Sequence, residues 1–410
     1  MIISSAKGCR VFDSTGREYI DLSAFFGAAS LGHNNPKLIE AISSQIKKLS
    51  HTMGDMYQAD VYHVFTGALK RIVPPELDGF FVFLNGSDAV DTALKAAAAF
   101  TGRRGILSFR GAYHGLFSHA LEATHNPFFR ERFEGILCNR AVFAPYPDGY
   151  RTPDELDPAD LLKSSIDIVS EKIADRSLNI GAIIVEPVQG RGGIIAPPDG
   201  FLKELRKVCS ENEAVLIVDE IYTGMGRCGS LFAFEEEGVV PDILCLGKGL
   251  GGGFPVSSCA MRPEIFSVFE SGSGEAVHTS TFMGNPVSCA AGIFVINEMN
   301  SGLLESVRAL GDLCSGRLRE WMTRFPFIGD ARGRGLMRGI DIVKDKGTKE
   351  PYQALASRIL IRALERGVIL TIEGMYNNVI AITPPLTIEE AELTAALDIL
   401  EGILIEENIG

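Results

Sequence analysis

Two apolar runs of the sequence are each followed or closed by a side chain that could do chemistry. Lys248 stands between glycines in LGKGL (246–250), where a lysine can approach an aldehyde closely. Once its neighbours favour the neutral amine, such a lysine forms Schiff bases. Asp219 closes AVLIVDE (214–220), where a carboxylate can hold a proton on a heteroaromatic nitrogen. Taken alone, each residue also fits a structural role, as an exposed loop lysine and as a cap of the following turn.

Two further segments offer binding groups. In NGSDA (85–89), Gly86 and Ser87 precede a helical pattern, and a helix N-terminus presents free N–H groups to a phosphate. The same residues also fit an ordinary N-cap by Ser87 or Asp88. In AYHG (112–115), Tyr113 could stack on a planar ring, whereas His114 fits either an acid–base group or a structural residue.

These segments belong to a pattern of short apolar strands that alternate with helices from about residue 60. The predicted strands are 80–85, 105–109, 181–187, 214–220 and 242–247, and the predicted helices include 88–100 and 201–213. Such alternation is typical of an α/β fold, with a mostly parallel central sheet covered by helices on both faces. Ligands of these sheets bind outside the carboxyl ends of the strands, where the four segments lie.

The pattern also indicates how the chain is divided. After about residue 290, long helices (287–322 and 352–366) surround shorter strands such as 337–343, which predicts a smaller α/β domain. The predicted division is an N-terminal segment, 1–45, that joins the small domain, a large domain, 46–290, and a C-terminal small domain, 291–410.

Composition narrows the class of protein. The chain has 410 residues and a formal net charge of −13, which argues against nucleic acid and anionic membranes as partners. Its start does not read as a signal peptide, and no apolar segment is long enough to span a membrane. The eight cysteines and seven histidines show no metal-ligand spacing, so free thiols in a reducing cytoplasm and no metal site are expected.

The order of the motifs points to a known family. The chain resembles the class III aminotransferases, pyridoxal-5′-phosphate (PLP) enzymes of fold-type I, over nearly its whole length. The matching stretches are DSTGREYIDLSAFFGAASLGHNNPKLIEAI (13–42), NGSDAVDTALK (85–95), AYHG (112–115), IVEPVQGRGGIIAPPDGFL (184–202), LIVDEIYTGMGRCG (216–229), PDILCLGKGLGGGFP (241–255), STFMGNPVSCAA (280–291) and ARGRGLMRGIDI (331–342).

The resemblance implies a role for each matching residue. Lys248 is the implied Schiff-base lysine and proton shuttle, and Asp219 the implied partner of the ring nitrogen. Ile221 and Tyr113 are the implied contacts of the two ring faces, and Gly86 and Ser87 those of the phosphate. Glu186 is implied to support Asp219 or the surroundings of the cofactor, and Gln189 to lie near the ring hydroxyl. Thr281 is implied to reach the phosphate of the neighbouring subunit's cofactor. A homodimer with shared active sites follows from the last of these.

The implied activity is transfer of an amino group between an amine, ω-amino acid or amino sugar and a keto or aldehyde acceptor. Many family members that use glutamate carry Glu at the position of Arg191 and Arg at the position of Ala381. Loss of that pair also suits a racemase, epimerase or aminomutase, which needs no second substrate. Arg191 either supplies a replacement charge or points to solvent. Phe25 or Phe26 and the stretch 51–57 are expected to line the substrate pocket.

Overall fold

Fifteen strands form three sheets in the part of the chain that the computed structural model describes, residues 1–152, 156–271 and 274–409, with the backbone alone at 300–301. The strands are β1 (Ile3–Lys7), β2 (Arg10–Asp13), β3 (Glu18–Asp21), β4 (Gly79–Phe83), β5 (Gly105–Phe109), β6 (Ala141–Ala144), β7 (Ile180–Val185), β8 (Val215–Asp219), β9 (Ile243–Leu246), β10 (Ser257–Met261), β11 (Ile328–Arg334), β12 (Met337–Ile342), β13 (Val368–Ile369), β14 (Thr371–Glu373) and β15 (Val379–Ile382).

Half of the α-helices named below begin at a proline, which lacks an N–H, or at a side-chain cap, which satisfies free N–H groups of the first turn. Those with right-handed geometry are Pro36–Lys48, Asp60–Ile72, Gly86–Thr101, Ser118–Ala123, Pro127–Arg130, Pro158–Ala174, Phe201–Glu211, Pro263–Phe266, Pro286–Glu298, Leu304–Arg324, Gln353–Glu365 and Glu390–Ile409. The single helix predicted over 287–322 is two helices, because a π-helical turn, Met299–Leu303, separates Pro286–Glu298 from Leu304–Arg324.

The central sheet has seven strands in the order β4-β10-β9-β8-β7-β5-β6. Only β10 runs antiparallel to its neighbours, so the mostly parallel sheet predicted from the sequence is confirmed. Apart from the partly buried edge strand β6, its strands are buried on both faces: in β8, Leu216 and Val218 pack into one apolar cluster, and Val215 and Ile217 into another. That alternation follows from the two-residue period of a strand and explains why β8 is apolar throughout.

Two four-stranded sheets lie outside the central one. The antiparallel sheet β11-β12-β15-β14 comes from the C-terminal part of the chain. The other, β1-β2-β3-β13, joins the two ends of the chain, since Ile20 of β3 pairs with Val368 of β13. This pairing agrees with an N-terminal segment that joins the small domain; the exact division at 45 and 290 stays a prediction.

Among the described helices, none combines the length and the apolar character that crossing a membrane requires. Nor do the described residues contain a group of three or more His, Cys, Asp or Glu side chains placed to hold a metal ion.

Candidate active site

A cavity of about 430 Å³ opens at the carboxyl edge of the central sheet, a volume typical of small-molecule sites. It collects residues that follow five different strands: β4, β5, β7, β8 and β9. The lining residues are Phe26, Gly86, Ser87, Tyr113, His114, Gly115, Phe129, Glu186, Arg191, Asp219, Ile221, Tyr222, Lys248 and Glu373. Nine of the eleven site residues predicted from the sequence therefore lie around one cavity, whereas Gln189 and Thr281 do not line it.

Lys248 enters this cavity directly after β9. Its backbone has φ +39°, in the left-handed region that side chains other than glycine rarely adopt. Burial lowers the pKa of its ammonium group, although Asp219, Glu186 and Glu373 act in the opposite direction. The Nζ atom lies 4.1 Å from the ring centroid of Tyr222. The site thus favours a neutral amine at Lys248 more than water does, which is the form that reacts with carbonyl carbons.

The Tyr222 ring is held in a narrow slot. A Cβ at Gly27 would lie 2.6 Å from the ring, and one at Gly190 would lie 2.4 Å from it, so neither position has room for a side chain. The hydroxyl of Tyr222 is 3.3 Å from Oγ1 of Thr383. The ring therefore has one place to sit, and that place is beside Lys248.

Asp219 ends β8 and is 4% exposed, yet it carries two hydrogen bonds. Its Oδ1 accepts from the backbone N–H of Ile221 at 3.0 Å, and its Oδ2 lies 2.8 Å from Nδ1 of His114. His114 is buried, and its Nε2 has no hydrogen-bond partner in the described chain. Of the two interpretations of His114 drawn from the sequence, this hydrogen bond fits the structural one, in which His114 holds Asp219 in place.

The helix Gly86–Thr101 points its N-terminus at the cavity. Its cap is Asn85, whose Oδ1 accepts from Asp88 N at 3.0 Å, so the alternative of a cap by Ser87 or Asp88 was wrong. The N–H groups of Gly86 and Ser87 have no acceptor within the described chain. A Cβ at Gly86 would lie 2.8 Å from Ile221, and one at Gly115 would lie 2.3 Å from Oγ of Ser87.

Those features fit a flat, phosphate-bearing cofactor. Free N–H groups at a long helix's positive end favour an anion. The missing Cβ atoms at Gly86 and Gly115 let Ile221 and Ser87 approach the backbone of the cradle closely. Opposite these glycines, the cavity holds a lysine with a lowered pKa and a buried carboxylate. The residues present thus offer a cradle for a phosphate, a carbonyl-reactive amine and an acceptor for a ring N–H.

Glu186 and Tyr113 form another wall. Glu186, after β7, accepts from the N–H of Tyr113 at 3.0 Å and from that of Gly190 at 3.1 Å. Burial raises the pKa of this carboxyl, and the hydrogen bonds from Tyr113 N and Gly190 N act in the opposite direction. The ring of Tyr113 makes an edge contact with that of Phe129, with centroids 5.3 Å apart. Glu186 thereby fixes the backbone that carries Tyr113.

Arg191 does not point to solvent. Its Nη1 lies 3.1 Å from Oε2 of Glu373, and its Nη2 donates to Oδ1 of Asn377 at 2.9 Å. Both Arg191 and Glu373 line the cavity. A charge-carrying pair therefore sits in the pocket, built from residues other than those of the glutamate-using relatives considered above.

Phe26 reaches the cavity from a strained turn. Ala24, Phe25 and Phe26 have φ of +43°, +48° and +60°, three successive left-handed residues that are not glycine. Hydrogen bonds hold the turn, because buried Asp21 accepts from Ser23 and Oγ of Ser23 accepts from Phe25 N. Strain of this kind persists where the surroundings impose it, and it is common at functional sites.

Three expected contributors lie elsewhere. Thr281 is exposed and does not line the cavity of its own chain. The expectation that 51–57 lines the pocket is not met within this chain, where none of these residues is among the lining set. Gln189 lies behind the cavity, with Nε2 donating to Arg110 O at 2.9 Å and a buried Oε1 that has no partner among the described residues.

Four lining residues had no role predicted from the sequence: Gly115, Phe129, Tyr222 and Glu373. Phe129 lies in a stretch without a motif, so its sequence carries no signal. Glu373 sits in the strand TIE (371–373) and is 1% exposed, although a lone acid in a strand gives no sign of its burial.

Comparisons with known proteins agree on one family. The family model described as "Aminotransferase class-III" matches residues 1–404. The chain is 37% identical to an acetylornithine aminotransferase of Methanopyrus kandleri, over 95% of this chain and 91% of the relative. It is 34% identical to a leucine/methionine racemase of Thermococcus litoralis, over 100% of this chain and 92% of the relative.

A solved structure gives the same result. An amine transaminase from an uncultivated Pseudomonas species, determined in a PLP-bound form, superposes with a TM-score of 0.94. That protein is 30% identical to this chain, and the match covers 99% of this chain and 95% of the other.

Proposed function

The chain belongs to the class III aminotransferase family, and we propose that it moves amino groups from an amine, ω-amino acid or amino sugar to a keto or aldehyde acceptor. It is a PLP-dependent aminotransferase of fold-type I, and its substrates are small-molecule amines and keto compounds. The main observation in support of this function is that Lys248 and Asp219 line one cavity beside a helix N-terminus.

The described residues supply distinct functions around the cofactor. Gly86 and Ser87 would hold its phosphate through the free N–H groups of their helix. Tyr113 and Ile221 would cover the two faces of its ring, and Asp219 would accept a hydrogen bond from the protonated ring nitrogen and so keep it charged. When bound, PLP supplies an electron-poor ring that stabilises negative charge on the carbon beside the substrate nitrogen.

Lys248 would move the proton that amino transfer requires. Burial lowers the pKa of its ammonium, so a larger fraction of Lys248 is neutral and able to accept a proton at Nζ. The ring of Tyr222, 4.1 Å away, restricts where Nζ can go and covers it from water on one side. Asp219 and Glu186 are close enough to favour the charged form once Lys248 has taken the proton.

A donor screen tests this function. Purified holoenzyme is mixed with glutamate, alanine, a diamine, an ω-amino acid and an aminoglycoside in turn, and the absorbance of the bound cofactor is followed. At least one donor is expected to convert the cofactor to its amine form and leave a keto product. If every donor leaves the absorbance unchanged, the proposed transfer is wrong.

Lys248→Ala is expected to lower the rate of amino transfer by about 10³-fold or more, because the proton shuttle is removed, while cofactor binding persists more loosely. The matched control is Lys70→Ala, an exposed lysine paired with Asp78 at 2.6 Å, which should keep the wild-type rate. Single-turnover absorbance measures both. Transfer at the wild-type rate by Lys248→Ala would contradict the mechanism.

A second candidate function is isomerisation of an amino acid. It is favoured by the relative named as a racemase, whose similarity spans 100% of this chain. An isomerase needs no keto acceptor. Incubating one enantiomer of an amino acid with holoenzyme in ²H₂O, without acceptor, separates the two functions: loss of optical rotation with deuterium at the α-carbon identifies an isomerase.

The proposal includes a homodimer that shares its active sites. The segments 51–57 and 279–283 pack together at the surface. Thr279 Oγ1 donates to Asp55 at 2.8 Å, and the ring centroids of His51 and Phe282 lie 5.2 Å apart. They expose four large apolar side chains in one region, a pattern that marks an interface. These are Met53, Met56, Tyr57 and Phe282, which are at least half exposed. Thr281 lies among them, where it could reach a neighbouring subunit.

We place the protein in the cytoplasm as part of the same proposal. All eight cysteines are free thiols, and only Cys138 is exposed. Thiols persist in reducing compartments, which supports this location. Fractionation of cells with an antibody to the chain tests it.

A further inference from the structure

The Arg191–Glu373 pair closes the cavity with groups from two different sheets. Arg191 follows β7 of the central sheet, whereas Glu373 ends β14 of the C-terminal sheet. Their backbones are also joined, because Gly374 N donates to Arg191 O at 3.0 Å. The guanidinium is anchored by Glu373 and Asn377, and its Nε–H has no acceptor within the described chain.

Both residues line the cavity, and Arg191 is the more accessible of the two. The Arg191 side chain is 24% exposed and that of Glu373 is 1% exposed. A molecule that enters the cavity therefore meets the guanidinium first. A guanidinium has five donors in a planar fork, which matches the geometry of a carboxylate.

We propose that Arg191 binds the carboxylate of a 2-oxo acid acceptor and that Glu373 is its exchangeable counter-ion. The inference rests on the proposed function, since it names the acceptor of that reaction. With an amine that has no carboxylate, Glu373 neutralises Arg191 and no buried charge is left alone. With a 2-oxo acid, the substrate carboxylate takes over Arg191, and Glu373 takes a proton from solvent because two carboxylates on one guanidinium repel.

Glu373 is suited to that exchange. Burial raises its pKa to about 7, against the opposing effects of Arg191 and Lys248, and Glu186 adds to the rise. The groups that face it are Arg191, Lys248, Glu186, Tyr113 and Tyr222. Free Glu373 is therefore largely charged above pH 7 and largely neutral below it, and a second carboxylate on Arg191 shifts the balance further toward the neutral form.

The sign of the pH dependence follows. Below pH 7 Glu373 already holds its proton, so binding of a carboxylate is accompanied by little proton uptake. Above pH 7 binding must first protonate Glu373, so uptake approaches one proton and affinity falls by about tenfold per pH unit.

Calorimetry on the holoenzyme tests this without turnover. Propanoate, which has a carboxylate but no keto group, is titrated at pH 6, 7 and 8 in buffers of different ionisation enthalpy, which counts protons. Propanamide is the neutral control ligand. Propanoate binding with proton uptake that grows from pH 6 to pH 8, together with weaker binding of propanamide, is the expected result; uptake that is absent at pH 8 would overturn the proposal.

Three variants identify the groups. Arg191→Gln should weaken propanoate binding by about 10- to 100-fold, since a charged hydrogen bond is lost. Glu373→Gln should bind propanoate about tenfold more tightly than wild type at pH 8, without proton uptake, because no protonation is needed. Arg358→Gln, an exposed arginine paired with Glu407 at 3.0 Å, is the matched control and should bind as wild type does.

The double variant Arg191→Gln/Glu373→Gln removes both charges, so it folds without an unpaired buried ion and should bind propanoate as weakly as Arg191→Gln. In half-reactions, Arg191→Gln should lower kcat/KM for pyruvate at least tenfold more than kcat/KM for benzylamine. Equal losses of kcat/KM for pyruvate and for benzylamine would overturn the proposal. Diamine binding that is weakened in Glu373→Gln but not in Arg191→Gln would also overturn it, because that result indicates recognition of a cation. Wild-type enzyme that binds propanoate with proton uptake but transfers no amino group would instead refute the proposed function alone.

Discussion

At the scale of single residues, the environment of Asp219 decides how firmly the site can hold a ring nitrogen. The carboxylate is almost fully buried, and it depends on His114 and on Ile221 N for its hydrogen bonds. A buried carboxylate that loses a donor is costly, because its charge is no longer compensated. His114 is therefore a positioning residue, which acts through Asp219.

His114→Ala is expected to raise the Kd for PLP by about 10- to 100-fold, because a hydrogen bond to a charged group is lost. His114→Asn, which keeps a side-chain N–H, should recover part of the affinity. Titration of apoprotein with PLP, followed by absorbance, gives both values, and circular dichroism checks the fold. Equal affinities of wild type and His114→Ala would remove this role for His114.

At the scale of elements, the phosphate end depends on a helix and a loop that approach each other closely. Gly115, at φ +122°, leaves space for Ser87 at the start of the helix Gly86–Thr101. Glycine is required there for its backbone angle and for its lack of a side chain. The contact joins two elements that follow different strands, β4 and β5, and so sets the width of the cradle.

Gly115→Ala is expected to weaken PLP binding at least about tenfold, because the new Cβ would lie 2.3 Å from Oγ of Ser87 and displace it. Gly102→Ala at the other end of the same helix is the control. Gly102 also has a positive φ, +68°, but no atom lies within 4 Å of the added Cβ. Both variants should lose about 1 kcal/mol of stability through backbone strain, and only Gly115→Ala should lose cofactor affinity. A similar Kd for PLP in the two variants would contradict the cradle.

At the scale of the whole molecule, the chain presents an active site whose predicted contributor Thr281 faces outward. The segments 51–57 and 279–283 contact each other and expose apolar side chains, so together they form one exposed surface. A second copy on that surface would bury those side chains and supply Thr281 to the neighbouring cofactor.

Mixed dimers test this sharing. Thr281→Val is expected to raise the Kd for PLP in the homodimer, since a phosphate-binding hydroxyl is lost. In a heterodimer of Lys248→Ala with Thr281→Val, one site has the native Lys248 of one subunit and the native Thr281 of the other. Random pairing of unfolded and refolded chains makes about half of the dimers mixed, each with one intact site out of two, so about a quarter of the wild-type activity should return. Lys248→Ala/Thr281→Val chains mixed with wild-type chains serve as the reference. If mixing Lys248→Ala chains with Thr281→Val chains restores no activity, Thr281 does not act across subunits.

The sequence alone was sufficient for the family and for the central sheet. Apolar strands such as LIV in 216–218 alternate with helices, and burial on both faces follows directly from their lack of polar residues. It also named Lys248, Asp219, Tyr113 and Glu186, which line the cavity, because each follows a strand within a motif and strand ends share one edge of a parallel sheet.

Only the tertiary structure decided which charges meet. Arg191 and Glu373 are 182 residues apart and come from different sheets, so no local pattern relates them. The left-handed turn at 24–26 was equally hidden, because long-range contacts impose it against the preferences of alanine and phenylalanine. Short-range propensity and apolar period specify most of the elements, although not the π-helical break at Met299–Leu303. Burial, which depends on all the elements together, sets the partners and the directions of the pKa shifts at the site.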